Sequence, residues 1–142
     1  MSKQTKKRKS GIPTGNAGEY FVMGELLKQG FDAQLADRNT KGYDLLVGSE
    51  QDGCLRKVQV KTSRRGRKWF VRNVDFRGKQ LDQVTVYVHL GRKDGREPVR
   101  YFIAKNRYVK KHIYYPKNFK RHGIVRMEGV ERYKDRWSEL LT

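Results

Sequence analysis

Apolar residues recur at helical spacing near the start of the chain, in the segment NAGEYFVMGELLKQGF (residues 16–31). The positions that share one helical face are Ala17, Tyr20, Phe21, Gly24 and Leu27. Asn16 is a suitable N-cap, and Gly30 is a suitable C′ residue to end the helix. The pattern predicts a helix between these two residues.

Apolar runs that alternate with polar residues predict strands in the middle of the chain. The runs are FDAQLA, YDLLV (43–47), LRKVQVK (55–61), WFVRNVDF, VTVYVHL (84–90) and VRYFIA (99–104). GSEQDG joins the second and third runs as a hairpin, and WFVRNVDF suits an edge strand. The segments 105–113 and 131–141 have helical patterns. This order predicts the α/β class, with one mixed sheet flanked by helices in a single domain.

Charge narrows the possible functions. The chain has 142 residues, with 33 Lys and Arg against 15 Asp and Glu, which gives a net charge of +18. Such self-repulsion favours a polyanionic partner, and nucleic acid is the obvious one. No apolar run approaches the ~20 residues of a membrane span, and the N-terminus lacks a signal-peptide pattern. Cys54 is the single cysteine, which fits a reducing compartment. We therefore expect a cytoplasmic protein that binds no membrane.

The first residues differ in composition from the rest of the chain. Residues 1–12 are polar and basic without apolar periodicity, which predicts a disordered arm. Such an arm either contacts phosphates or keeps the protein soluble. Residues 13–142 form the predicted domain.

Four residues are candidates for one site: Glu19, Asp44, Gln59 and Lys61. Glu19 lies in the predicted helix, Asp44 near the start of one strand, and Gln59 and Lys61 on the next strand. Side chains alternate along a strand, so Gln59 and Lys61 share one face. The hairpin brings Asp44 beside them if the register is right, and the sequence does not determine that register.

This cluster suits phosphodiester hydrolysis with a hard divalent cation, which prefers oxygen ligands. Asp44 would supply a carboxylate, Gln59 an amide oxygen and Val60 a main-chain carbonyl. Glu19 would bind the metal directly or through water. The metal would lower the pKa of a bound water, and Lys61 would position that water and stabilise the charge on phosphorus.

Each residue also has a structural interpretation. Glu19 stands three positions after Asn16 and can close a capping box. Asp44 can accept a hydrogen bond in a turn, while Gln59 and Lys61 can be ordinary surface residues. Their joint occurrence, in this order and on these elements, favours the site.

The segments GEYFVMGELLKQGF, KGYDLLV and VQVKTS together resemble the PD-(D/E)xK nuclease superfamily over roughly residues 16–63. With glutamine in the third place, the order is most similar to the group I intron-associated homing endonucleases. It is also similar to Mrr-type restriction domains, and the helix is similar to that of archaeal Holliday-junction resolvases. The resemblance implies a restriction-endonuclease-like fold and a DNA endonuclease that uses Mg²⁺, for which Mn²⁺ can substitute. It also implies a bacterial, archaeal or phage origin.

Two positions depart from the family pattern. Tyr43 stands where a proline usually precedes the aspartate, which affects only the backbone. Gln59 stands where a carboxylate is usual, which removes one formal charge from the metal site. Amide oxygens are acceptable ligands for hard cations, so metal binding would be weaker but not lost.

Two basic and aromatic stretches, 63–79 and 105–121, are candidates for substrate binding. The predicted DNA-contacting residues are Arg64, Arg65, Arg67, Lys68, Lys110, Lys111, Lys117, Lys120 and Arg121. Most aromatic residues there are expected in the core. Because one small domain holds one site, duplex cleavage implies a homodimer or higher homo-oligomer. The alternatives are a Holliday-junction resolvase, a non-catalytic nucleic-acid-binding protein with a nuclease-like fold, and a structural RNA-binding protein.

Overall fold

A five-stranded mixed sheet forms the centre of the domain, in a computed structural model that describes residues 12–37, 42–51 and 53–141. The predicted basic arm at residues 1–12 therefore lies outside the described residues, apart from Ile12. The elements are α1 (Ile12–Lys28), β1 (Asp32–Leu35), β2 (Leu45–Gly48), β3 (Leu55–Ser63), β4 (Lys68–Arg72), β5 (Val84–His89), β6 (Arg100–Lys105), α2 (Asn106–Val109), β7 (Ile113–Tyr114) and β8 (His122–Arg126). None of the helices in the described part of the chain could span a membrane.

The main sheet has the strand order β1-β2-β3-β5-β6. The β3–β5 pair is parallel and the other pairs are antiparallel. The predicted hairpin between β2 and β3 is present, with Leu45 opposite Val58. This register determines which residues meet at the start of β2, where Asp44 lies.

One face of the main sheet packs against α1. Val22 and Leu26 of the helix are fully buried against an aliphatic layer that includes Val58 and Val86. Helix and sheet approach each other closely at Gly18, where an added Cβ would overlap the Thr62 side chain of β3. A glycine is needed at this position because only a bare backbone fits against Thr62.

The opposite face of the main sheet is covered in part by a second sheet with the order β4-β8-β7. Trp69 of β4 packs on Tyr87 of β5, with ring centroids 5.3 Å apart, and on Phe102 of β6. The indole Nε1 donates a hydrogen bond to the Val88 carbonyl at 3.0 Å. This buried tryptophan therefore joins the two sheets by packing and by a satisfied polar contact.

The helix boundaries differ from the prediction at one end only. Gly30 follows the helix with a φ of 94°, as expected for a residue that ends a helix. The helix begins at Ile12, however, so Asn16 lies within it and is not the N-cap. The proposed capping box between Asn16 and Glu19 is therefore wrong.

The predicted C-terminal helices are also wrong. The first is reduced to α2 and a 3-10 turn, and the segment 131–141 forms two short 3-10 turns. Tyr133 and Trp137 belong to different core clusters, on opposite faces of the main sheet. Between them Asp135 adopts a φ of 54° and donates its N–H to the Tyr101 carbonyl at 2.9 Å. The chain bends at Asp135 to reach both clusters, which a continuous helix would not do.

Candidate active site

Asp44 directly precedes β2 and is held there by three hydrogen bonds, to residues of β3 and to Ala36 after β1. Its N–H donates to the Val58 carbonyl at 2.8 Å, and its carbonyl accepts from the N–H of Ala36 at 2.9 Å. The side-chain Oδ2 accepts from the N–H of Val60 at 2.8 Å. The Asp44 carboxylate is therefore fixed beside β3.

Gln59 and Lys61 lie on the face of β3 that points away from α1, because Val58 and Val60 belong to the helix-side core. Continuing the β2–β3 register by one residue places Asp44 opposite Gln59. Gln59 is only 9% exposed, and its side-chain amide makes no hydrogen bond to any residue in the described part of the chain. The structure thus brings three of the four predicted residues together and leaves one nearly buried amide available for a ligand.

Burial shifts the pKa values of both ionisable groups in this cluster, Asp44 and Lys61. Burial raises the pKa of the Asp44 carboxyl, and the Val60 hydrogen bond and the Lys61 ammonium oppose this only in part. Burial lowers the pKa of the Lys61 ammonium, against the opposing effects of the Asp75 and Asp44 carboxylates. Desolvation disfavours the charged form of each group. Two opposite shifts at one place are typical of residues that handle protons or metal ions.

Sequence reasoning missed Asp75, a second acid close to the cluster. Asp75 is 5% exposed and accepts two hydrogen bonds from the Arg72 guanidinium, at 3.0 and 3.2 Å. Its charge affects the pKa of Asp44 and of Lys61. The segment was predicted as a strand, but residues Asn73–Phe76 form a 3-10 turn that turns Asp75 inward. The sequence signal that could have indicated Asp75 is that it is the single acidic residue among seven basic residues in the segment 63–79.

Glu19 lies on α1, on the other side of the sheet from Gln59 and Lys61. Its neighbour Gly18 contacts Thr62, the residue after Lys61, so Glu19 lies near the same end of β3. The β2 pairing with β3 runs only from Leu55 to Val58. Within the described segments no strand pairs with β3 beyond that point on the β2 side. Glu19 therefore lies near this open edge of β3, and its part in the site stays a prediction.

The donor set suits a hard cation. The N–H and C=O of one strand residue point to the same side, so the Val60 carbonyl points in the direction of its N–H, toward Asp44. The Asp44 carboxylate, the Gln59 amide and the Val60 carbonyl offer oxygen ligands of the kind that Mg²⁺ takes. Among the described residues no three His, Cys, Asp or Glu side chains gather at a possible metal site. A metal here would thus depend on the Asp44 carboxylate together with amide and carbonyl oxygens and water.

The predicted DNA-contacting residues fall into two groups. Arg64, Arg65 and Arg67 lie in the turn that follows β3, and Arg67 is 3.6 Å from Glu131. The other six are exposed: Lys68 on β4, and Lys110, Lys111, Lys117, Lys120 and Arg121 between α2 and β8. Whether they contact DNA stays a prediction.

Several aromatic residues near these cations are not in the core, contrary to expectation. Tyr114 and Tyr115 are about half exposed, at 47% and 48%. The Arg126 guanidinium lies 4.5 Å from the Tyr114 ring centroid, and the Lys68 ammonium lies 5.7 Å from that of Phe70. The reason is that β4, β7 and β8 form a separate sheet with an outer face, which the sequence pattern did not reveal.

Comparison with known proteins relates the fold to two nucleases. The structure is similar to Hjc, a Holliday junction resolvase from Archaeoglobus fulgidus, with a TM-score of 0.51 and 15% identity over 83% of this chain and 93% of that one. It is also similar to the bacterial homing endonuclease I-Ssp6803I, with a TM-score of 0.58 and 17% identity over 93% of this chain and 92% of that one. The sequence itself matches no family model and no curated protein.

These similarities agree with the resemblance carried by Asp44, Gln59 and Lys61. Both solved structures are nucleases, and the match extends over most of each chain. It includes the region after residue 63, where the sequence carried little family signal. The chain therefore shares the fold of these two nucleases, built as a single domain around a mixed sheet.

Proposed function

We propose that the protein is a Mg²⁺-dependent DNA endonuclease that hydrolyses phosphodiester bonds. The observation that carries this proposal is the Asp44 carboxylate, fixed by the Val60 N–H opposite a nearly buried Gln59 amide and beside Lys61. The net charge of +18 supports a polyanionic substrate. The fold shared with a resolvase and a homing endonuclease supports DNA as that substrate.

The residues of the cluster would divide the work of hydrolysis. Asp44, Gln59 and the Val60 carbonyl would hold Mg²⁺, with Glu19 reaching it directly or through water. Mg²⁺, when bound, supplies a water of lowered pKa and offsets the charge that develops on the phosphate. Lys61 would orient the attacking water and donate to the phosphate oxygens. Burial lowers the pKa of its ammonium group, which makes proton release from this side chain easier than from an exposed lysine.

Two more specific endonuclease functions use this same phosphodiester chemistry. One is a site-specific endonuclease of the homing type, and the other is a Holliday-junction resolvase; each has a structural counterpart. We propose a homodimer or higher homo-oligomer in either case, because cutting both strands requires two copies of a single site. Gln59 favours the homing type, since the resolvases that this chain resembles carry a glutamate there.

A cleavage assay tests the proposal. Purified protein is incubated with plasmid, linear and four-way-junction DNA in Mg²⁺, in Mn²⁺ and in a chelator. We expect cutting only with metal, and we expect Asp44→Ala and Lys61→Ala to abolish it while DNA binding persists. Robust cleavage by both variants would refute the assigned site. Tight, salt-sensitive binding with no cutting of any substrate would favour the non-catalytic alternative.

A further inference from the structure

A basic cleft lies where the end of β4 meets the start of β8. Its volume is about 430 Å³, and it is lined by Arg72, Asn73, Val74, Arg77, Lys120, Arg121 and His122. The lining residues come from two segments far apart in the sequence, 72–77 and 120–122. We call this feature the β4–β8 cleft.

The walls of the β4–β8 cleft are the segments 72–77 and 120–122, and backbone hydrogen bonds hold these two segments together. Arg72 and His122 are paired at the end of the β4–β8 ladder. One residue further, the N–H of Asn73 donates to the Arg121 carbonyl at 2.9 Å, and its side-chain amide reaches the Lys120 carbonyl at 3.5 Å. The basic residues around the cleft thus lie on two backbone segments that are hydrogen-bonded to each other.

The residues that line the β4–β8 cleft do not balance its positive charge. No acidic residue in the described part of the chain lines the cleft, and the Asp75 carboxylate beside it is buried and bonded to Arg72. Arg77, Lys120 and Arg121 are exposed and form no ion pair within the described part of the chain. Like charges held this close repel each other unless an anion enters.

We propose that the β4–β8 cleft binds a backbone phosphate of the DNA, distinct from the phosphate that is cut. Arg77 and Lys120 lie on opposite walls and would contact this phosphate from two sides. Arginine and lysine are the side chains that most often hold DNA phosphates. This inference rests on the proposed function only in taking DNA as the ligand.

The cleft is connected to the candidate active site through Arg72. Its guanidinium lines the cleft and binds Asp75, and both charges act on Asp44 and Lys61. A phosphate in the cleft would therefore lie beside the Arg72–Asp75 pair that adjoins the candidate site. Phosphate contacts of this kind set the position of a duplex without reading its sequence. A phosphate held in the cleft would thus help to position the duplex on this face of the protein.

The test compares two variants that lose the same charge. Arg77→Gln/Lys120→Gln removes one cation from each wall, and Lys28→Gln/Arg136→Gln removes two exposed cations outside the cleft. Binding of a fluorescein-labelled duplex is followed by anisotropy without metal, so that no cleavage occurs. The dissociation constant is measured from about 50 to about 200 mM salt.

For the cleft variant we expect a slope of log K against log salt that is shallower by about 1 than that of the control pair. Equal slopes and affinities for the two variants would overturn the inference. This outcome differs from failure of the proposed function, which would appear as wild-type protein that binds DNA but never cuts it. Loss of binding by both variants to the same extent would indicate an effect of total charge alone, and it would also overturn the inference that the cleft binds a phosphate.

Discussion

At the scale of residues, Asp44 and Lys61 are ionisable groups whose charged forms are disfavoured by burial. The pKa of Asp44 is raised and that of Lys61 is lowered, and burial is the largest cause of each shift. A group whose charged form is disfavoured in the folded state reduces stability at neutral pH. Such a cost is common where a site is built for chemistry.

Replacing Lys61 by an apolar residue of similar length should therefore stabilise the protein. We expect Lys61→Met to increase the free energy of unfolding by about 1 kcal/mol at neutral pH. The unfolded chain binds more protons than the folded protein between the lowered pKa and 10.5, so wild-type stability rises with pH in that window. The gain from Lys61→Met should thus shrink as the pH rises toward 10.5.

Thermal and urea unfolding at several pH values measure this gain. Lys28→Met is the matched control, because Lys28 is exposed at the end of α1. A Lys61→Met protein that is less stable than wild type, or whose gain does not change with pH, would contradict the account of Lys61.

In the proposed site, Gln59 would affect how strongly Mg²⁺ binds. Gln59→Glu adds a carboxylate opposite Asp44, which should tighten Mg²⁺ binding and lower the Mg²⁺ concentration needed for half-maximal cleavage, by about tenfold. A Mg²⁺ titration of the cleavage rate measures the shift. Gln34→Glu, exposed on β1, is the control for added charge alone. An unchanged titration for Gln59→Glu would mean that Gln59 is not a ligand.

At the scale of elements, the contact between α1 and β3 sets the position of Glu19. Gly18→Ala should destabilise the protein by about 1–3 kcal/mol, because the added methyl overlaps the Thr62 side chain. Gly24→Ala is the matched control on the same helix, since nothing lies within 4 Å of an added Cβ there. It should stabilise the protein by about 0.5–1 kcal/mol through helix propensity.

Urea unfolding of the two alanine variants measures these changes. If Gly18→Ala behaved like Gly24→Ala, the close approach of α1 to β3 would be wrong, and Glu19 would not lie at the end of β3.

The elements that sequence could predict are those whose pattern repeats locally. The hairpin of β2 and β3 follows from alternating residues and a polar turn, and it is the hairpin that places Asp44 beside Gln59. The strand β8 was missed, because HGIVR is short and lies among basic loop residues. The C-terminal turns were missed because their apolar residues pack into two different clusters, which is a tertiary effect.

In the candidate site, too, local patterns were predictable from the sequence and tertiary contacts were not. Asp44, Gln59 and Lys61 belong to one local hairpin, so alternation predicted a shared face, while the register that sets Asp44 opposite Gln59 came from the structure. Asp75 is brought near them by a 3-10 turn after β4, and no local pattern indicates that turn. The pairing of segments 72–77 and 120–122 depends on the β4–β8 ladder, so the β4–β8 cleft could be found only in three dimensions.

At the scale of the whole molecule, fold and charge point to one kind of substrate. The main sheet carries α1 and an aliphatic core on one face, and the candidate active site lies on the other face. The second sheet packs on that same face and supplies Arg72 and the β4–β8 cleft. With a net charge of +18, the molecule is suited to hold a polyanion across this face.

The rate of DNA cleavage in a single turnover tests the central claim most directly. Asp44→Asn keeps a side-chain oxygen for the Val60 N–H but removes the charge that would bind Mg²⁺. With enzyme in excess over a bound DNA substrate, we expect wild-type protein to cut in Mg²⁺ and the variant to be slower by at least about 10³-fold with unchanged DNA affinity. Cleavage by Asp44→Asn at the wild-type rate would contradict a metal-dependent site at Asp44.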